Sequence, residues 1–222
     1  MKNIQAFVFD AYGTLFDVHS VVEACNRAFP GRGEALSQLW RAKQLEYTWL
    51  KTLMGHYEDF WQITEAALTF ACKALNLQAP IDPRPLLMTA YLRLDLYPEV
   101  LEALTSLAPF PLSILSNGSP RMLQAVVQNA GLKDKFVQVI SVEEVKVYKP
   151  NPRVYELAPQ KLGIPKEAIC FVSSNSFDVI GAKAFGFQVC WVNRIRAPLD
   201  ELGFMPDAQV SRLTELRQLV EG

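Results

Sequence analysis

Histidine is scarce in this chain of 222 residues, with only His19 and His56 present. No His-x-x-x-His or Cys-x-x-Cys spacing occurs, which disfavours zinc catalysis. A Ser-His-Asp arrangement would have to recruit one of the two histidines, yet no Gly-x-Ser-x-Gly elbow is present. An excess of one charge is missing too: 22 basic residues stand against 23 acidic ones without a run of either sign, so nothing favours nucleic acid or an anionic membrane surface. No apolar run is long enough to span a bilayer, and the first apolar stretch begins almost at once without a charged-then-apolar leader. The expected location is the cytoplasm. Of the four cysteines, Cys25, Cys72, Cys170 and Cys190, the last two lie in apolar strand-like runs, and small buried hydrophobes account for them. If the protein is a hydrolase, its nucleophile and base must come from other side chains, and small neutral or singly charged partners fit it best.

Half of the residues are apolar, enough for a full core in one domain, or in one domain with an insertion. Ile4 to Phe9, rich in β-branched and aromatic residues, reads as a strand buried on both faces of a parallel sheet. It ends at Asp10, and Gly13 lets the backbone turn away, so the carboxylate stands where open α/β sheets place their ligands. Residues 20–75 then show helical spacing. Trp40, Lys43, Tyr47, Leu50 and Met54 fall along one expected face, and Phe60, Ile63, Thr64, Ala67 and Phe70 along another. Pro30-Gly31 and Met54-Gly55-His56 separate three helices, and a fourth follows Pro83 and Pro85. From Tyr97 onward helix and strand alternate, the signature of parallel βαβ units. Strands are expected at 112–115, 136–140, 168–172, 189–192 and 208–210. Helices are expected at 100–107, 121–129, 151–162, after Asp178 and from Arg212. Ser119 is expected as an N-cap, with Pro120 at the first helical position and Gly131 past the end.

Four polar clusters sit at strand ends or helix starts: Asp10 to Thr14, Ser116 to Ser119, Lys149, and Ser173 to Asp178. Singly, each has an ordinary structural reading as a turn, a cap or a solvated lysine. In this order they resemble the haloacid dehalogenase superfamily: an Asp nucleophile after the first strand, Ser/Thr after the second, a Lys before a later helix, and an acidic loop after the fourth strand. The resemblance covers essentially the whole chain. It implies an α/β fold with a Rossmann-like parallel core of residues 1–16 and 94–222, and a helical cap of residues 17–93 inserted after the first strand.

Two departures narrow the chemistry. Most superfamily members are magnesium-dependent phosphohydrolases that carry a second Asp, two residues after the nucleophile, as general acid. Tyr12 occupies that position, and a phenol is a much weaker acid at neutral pH. The last loop offers Ser173, Ser174, Asn175 and one Asp178 where the phosphatases place several carboxylates for magnesium, so neither a metal nor an organic cofactor is expected. A pocket holding Asp10, Asp178, Lys149 and Arg41 sums to zero charge and suits a monoanion better than a phosphomonoester dianion. A 2-haloalkanoate is such a monoanion, and its halide departs without protonation.

At this level the chain is similar to the L-2-haloacid dehalogenases through residues 10–18, Trp40-Arg41, residues 114–120, Val147-Tyr148-Lys149-Pro150 with Tyr155, and residues 173–178. The family resemblance implies attack of Asp10 on C2 with loss of halide and inversion, then hydrolysis of the aspartyl ester to a D-2-hydroxy acid. It implies that Ser116, with backbone amides near Ala11, Tyr12 and Asn117, holds the substrate carboxylate, and that Arg41, Asn117 and Phe177 receive the halide. It also implies that Lys149 keeps Asp10 ionised, with Thr14, Tyr155, Ser173 and Asn175 as support, and that Asp178 positions or activates the water. Tyr12, Leu45 and Phe60 are expected to wall the alkyl side, though core packing explains Leu45 and Phe60 equally well. Phe177 stands where the family commonly has Trp. A homodimer is implied as well. A phosphohydrolase of the same superfamily, and a catalytically silent member that binds a carboxylate or a protein partner, remain alternatives.

Overall fold

The computed structural model describes residues 1–220; the last two residues of the expected core segment lie outside it. Six parallel strands form one sheet in the order β3-β2-β1-β4-β5-β6: β1 Ala6–Phe9, β2 Leu112–Ser116, β3 Gln138–Ser141, β4 Ile169–Ser173, β5 Gln188–Val192 and β6 Ala208–Val210. β1, β2 and β4 are buried along their whole length, which explains their continuous apolar reading. Because β1 is central, with β2 on one side and β4 on the other, the chain reverses its winding direction beside β1. That switch point opens a crevice at the carboxyl ends of the strands, where Asp10, Ser116 and Ser173 stand.

Between β1 and β2 the chain builds α1 Val22–Ala28, α2 Gly33–Met54, α3 Phe60–Ala74, α4 Arg84–Ala90 and α5 Val100–Ser106. It leaves and re-enters the sheet region side by side, with Phe16 bridged to Leu96 and the Asp17 and Tyr97 N–H groups bonded to the carbonyls of Asp95 and Leu15. Tethering both ends of a long excursion at one place lets the helices sit over the strand ends. The remaining helices are α6 Pro120–Asn129, α7 Pro152–Leu162 and α8 Ser176–Phe185.

Several local expectations need correction. The buried stripe of α2 is Leu36, Ser37, Trp40, Gln44 and Thr48, rotated from the expected face, and Leu50 and Met54 are 42% and 57% exposed. Hydrophobic spacing misreads this helix because its inward side carries polar groups that find partners across the interior. In α3 Phe60, Ile63, Thr64 and Ala67 are buried as expected, but Ala71 completes the stripe and Phe70 is half exposed. Ser119 occupies the N-cap position of α6 without making a side-chain cap bond, whereas Asn151 caps α7 by accepting from the Arg153 N–H. β3 begins at Gln138 rather than Phe136, and the segment after Arg212 is a 3₁₀ helix, Leu213–Leu219.

α7 and α8 pack closely enough to need a glycine. A Cβ on Gly181 would lie 2.5 Å from the Pro150 Cβ and 2.6 Å from the Tyr155 hydroxyl oxygen. Gly181→Ala is therefore expected to lower stability by about 1–3 kcal/mol through overpacking, read as a fall of several degrees in Tm by calorimetry.

Candidate active site

Asp10 stands one residue past β1 and is 5% exposed. Its backbone N–H bonds the Val172 carbonyl, which anchors the turn to β4. The carboxylate is held from both sides. Lys149 Nζ donates to Oδ1 at 3.0 Å, while Asn175 Nδ2 and Thr14 Oγ1 donate to Oδ2 at 2.8 and 3.1 Å. Thr14 in turn accepts from the Ser174 N–H at 2.9 Å, and Ser173 Oγ accepts from the Asn175 N–H at 3.1 Å. The loops after β1 and β4 are thus sewn together around one carboxylate.

Lys149, 1% exposed, enters from the segment before α7 and shares its ammonium between Asp10 and Asp178, whose Oδ2 lies 2.9 Å away. Burial pulls the lysine pKa down, but the two carboxylates outweigh that pull and hold it above its ordinary value. Asp178 lies in the first turn of α8, and its Oδ1 accepts from Tyr155 Oη at 2.8 Å. Burial pushes Asp178 up to about 6, with Lys149 opposing and Asp10 adding to the rise. Burial and the nearby Asp178 keep the Tyr155 phenol protonated.

This donor set does not fit magnesium. Both oxygens of each carboxylate already accept from protein donors, an ammonium lies between the two, and among the described residues no group of three or more His, Cys, Asp or Glu side chains comes together.

Above the strand ends, α2 and α3 supply the other wall. Arg41 donates to the Tyr12 carbonyl at 3.2 Å and to Asn175 Oδ1 at 3.4 Å, so the helical block touches the loops that hold Asp10. Its acceptors are neutral. With Leu45, Asn175, Gly13 and Arg194 it lines a cavity of about 300 Å³. The Tyr12 ring packs on Phe60 and Tyr91 at 5.5 and 6.0 Å between centroids, and its buried hydroxyl meets no partner among the described residues. Burial drives that phenol far above its ordinary pKa, so it is a poor proton donor. Ala11 is buried in the turn, and its carbonyl accepts the N–H groups of Thr14, Leu15 and Phe16.

Ser116 and Asn117 close β2. Ser116 Oγ accepts from the Gly118 N–H, and Asn117 Oδ1 accepts from the Lys149 N–H at 3.1 Å, tying this loop to the lysine. Phe177 is less central: its ring meets Trp49 edge to face at 5.3 Å, in an apolar groove with Tyr148, Lys149 and Pro150. The interactions therefore join Asp10, Thr14, Arg41, Asn117, Lys149, Tyr155, Ser173, Asn175 and Asp178 in one continuous network.

Arg194 was missed by sequence reasoning. It follows β5, donates to the carbonyls of Gly13 and Thr14 and to Ser174 Oγ, pairs with Glu99 at 2.9 Å and stacks on Tyr97. Its position just past a strand was the available signal.

A family model described as haloacid dehalogenase-like hydrolase matches residues 4–186. The chain is 52% identical to the (S)-2-haloacid dehalogenase of Pseudomonas sp. (strain YL), over 100% of this chain and 96% of that protein. The chain belongs to the haloacid dehalogenase-like hydrolases, within their (S)-2-haloacid dehalogenase group. It is also 48% identical to the haloacetate dehalogenase H-2 of Moraxella sp. (strain B), over 99% of both chains. Among solved structures, L-2-haloacid dehalogenase from Xanthobacter autotrophicus with chloropropionic acid covalently bound superposes with a TM-score of 0.94, at 46% identity and 99% coverage of both chains.

Removing the shared cation tests the electrostatics of the cluster. Lys149→Met leaves two buried carboxylates facing each other, which raises their folded-state pKa values above the unfolded ones. Their contribution to stability is then present below the unfolded pKa and lost as pH rises through the folded one. We expect Lys149→Met to cost about 3–5 kcal/mol near neutral pH in urea unfolding, and distinctly less at about pH 5.

Proposed function

We propose that the protein hydrolyses the carbon–halogen bond of short L-2-haloalkanoic acids, giving D-2-hydroxy acids and halide. The observation that carries this reading is the Asp10 carboxylate gripped by three donors, Lys149, Asn175 and Thr14, with Tyr12 standing where an ester hydrolase needs an acid. A carboxylate oxygen of Asp10 attacks C2 from the side opposite the halogen. The C–X pair leaves with the halide, C2 inverts, and an ester joins Asp10 to the substrate. Water then attacks the ester carbonyl carbon of Asp10; the acyl C–O bond breaks, releasing the hydroxy acid and restoring the carboxylate. The oxygen gained by the product in the first turnover therefore comes from Asp10. Asp178 takes one water proton and passes it to the departing alkoxide, and the other water proton leaves to solvent as the Asp10 carboxylate is restored. Lys149 stabilises the negative charge that develops, and Tyr155 orients Asp178.

In this reading Ser116 and the backbone around Ala11, Tyr12 and Asn117 hold the substrate carboxylate. Arg41, Asn117 and Phe177 receive the halide, while Tyr12, Leu45 and Phe60 enclose the alkyl group. Residues 17–93 act as the cap over residues 1–16 and 94–222, excluding water from the first step. The likeness to (S)-2-haloacid dehalogenases supports the substrate class, and that to a haloacetate dehalogenase supports acceptance of the shortest acid. A homodimer belongs to the proposal, with Leu50, Leu53 and Met54 on α2 as exposed apolar surface for it. A cytoplasmic location is supported by four free cysteines; among the described residues no helix is long and apolar enough to cross a membrane.

The direct test is chloride release from racemic 2-chloropropionate in EDTA, with chiral chromatography of what remains. Release stopping near half conversion, with the L form consumed and D-lactate formed, is expected. No release from this acid or from chloroacetate would overturn the proposal. Asp10→Asn should abolish turnover. The pH profile follows from Asp178, which must be ionised to accept a proton. Esterification removes the Asp10 charge that helps raise it and leaves Lys149 opposite, so hydrolysis of the ester should persist to a lower pH than the free-site value of about 6 and be lost below that. Single-turnover decay of the ester across pH checks this.

A further inference from the structure

Arg41, Lys149 and Arg194 are cations of the site; Arg194 is paired with Glu99, and the surroundings of the other two differ in kind. Lys149 is compensated by two carboxylates, whereas the partners of Arg41 are neutral: the Tyr12 carbonyl, the Asn175 side-chain amide, the Tyr91 hydroxyl and, most closely, Gln44 Oε1 at 2.7 Å. Gln44 lies one turn along α2 from Arg41 and is fully buried. A buried amide needs partners for both ends, and here the partners dictate which end points where. Thr64 Oγ1 donates its single proton to the Phe60 carbonyl at 2.5 Å and so is left to accept from Gln44 Nε2 at 2.7 Å. That commitment turns Oε1 toward Arg41, and Tyr91 Oη adds a second donor to the same oxygen at 3.1 Å. The chain of bonds has one consistent direction.

We infer that Gln44 is a positioning residue for anion capture: it holds the Arg41 guanidinium in the site by a neutral oxygen and leaves the positive charge free for the departing halide. A carboxylate at residue 44 would hold Arg41 equally well in geometry and cancel its charge. An apolar residue would leave the charge intact and the guanidinium unheld. The glutamine does neither, because an amide dipole orients a cation without neutralising it. Phe60 and Thr64 of α3 thereby act on the site through Gln44 rather than through contact with it. The inference rests on the dehalogenase reading above.

The experiment compares wild type, Gln44→Glu and Gln44→Met in single-turnover alkylation of Asp10 by L-2-bromopropionate and L-2-chloropropionate, together with inhibition by bromide. Melting curves and circular dichroism establish folding. Chloride concentrates its charge more than bromide and needs more help to leave. Gln44→Glu should therefore slow the chloro substrate by about 100-fold to 1000-fold, the size of a lost charge stabiliser, slow the bromo substrate less, and weaken bromide inhibition. Gln44→Met, which keeps length and apolar packing, should move all three in the same direction by less, and it keeps the test open if the acidic variant misfolds. A purely structural role predicts equal losses for both halides and unchanged bromide inhibition. Either that pattern or wild-type behaviour of both folded variants would overturn the inference while the dehalogenase reading stood. Wild type releasing neither halide would overturn the reading itself, and this inference with it.

Discussion

One ammonium group organises this molecule. Lys149 Nζ lies between Asp10 and Asp178 at 3.0 and 2.9 Å, with all three side chains shut away from solvent. Two carboxylates this close cannot both stay ionised in a low-dielectric interior without a cation between them, and a buried lysine would shed its proton without the carboxylates. Each group sets the charge state of the others. The cluster draws on the end of β1, the approach to α7 and the first turn of α8, so the packing of these elements and the ionisation of the site are one problem. The close fit of Gly181 against Pro150 and Tyr155 brings α8 near enough for Asp178 to reach the lysine.

Around that cluster the polar groups are arranged by donor and acceptor rather than by net charge. Thr14 donates to Asp10 and accepts from the Ser174 N–H; Asn175 donates to Asp10 and accepts from Arg41. Arg194 braces the carbonyls of Gly13 and Thr14 from the end of β5, with Glu99 and Tyr97 holding it in turn. Such a set of oriented dipoles needs little rearrangement when charge moves, which is how a preorganised site lowers a barrier. In the proposed reaction the first leaving group is a halide, which needs donors rather than a proton, so that step requires no acid at residue 12.

The helices between β1 and β2 contribute differently from the sheet. The end of β1, the approach to α7 and the start of α8 supply the Asp10 and Asp178 carboxylates with one ammonium between them; α2 supplies a guanidinium surrounded by neutral oxygens. In the proposed reaction an arriving monoanion meets Arg41, the cation without a carboxylate partner. Placing Lys149 and Arg41 on separate parts of the fold, one paired with carboxylates and one with neutral groups, gives the site a direction.

The strands, the order of the four polar clusters and the residues around Asp10 were legible in the amino-acid sequence because each depends on neighbours close in the chain: apolar runs for buried strands and a carboxylate or hydroxyl just past them. The buried side of α2, the hydrogen bonds of Gln44 and the clamp at Arg194 were not, nor was the missing side-chain cap bond at Ser119. Periodicity registers apolar burial, and α2 buries polar side chains whose partners lie on other elements: Thr64 on α3, Tyr91 after α4, Asn175 before α8. Local sequence determined which chemical groups stand at the strand ends. Tertiary structure alone decided which of them are paired, which are neutralised and which keep a free charge, because hydrogen bonds and ion pairs depend on distances that only the folded chain sets.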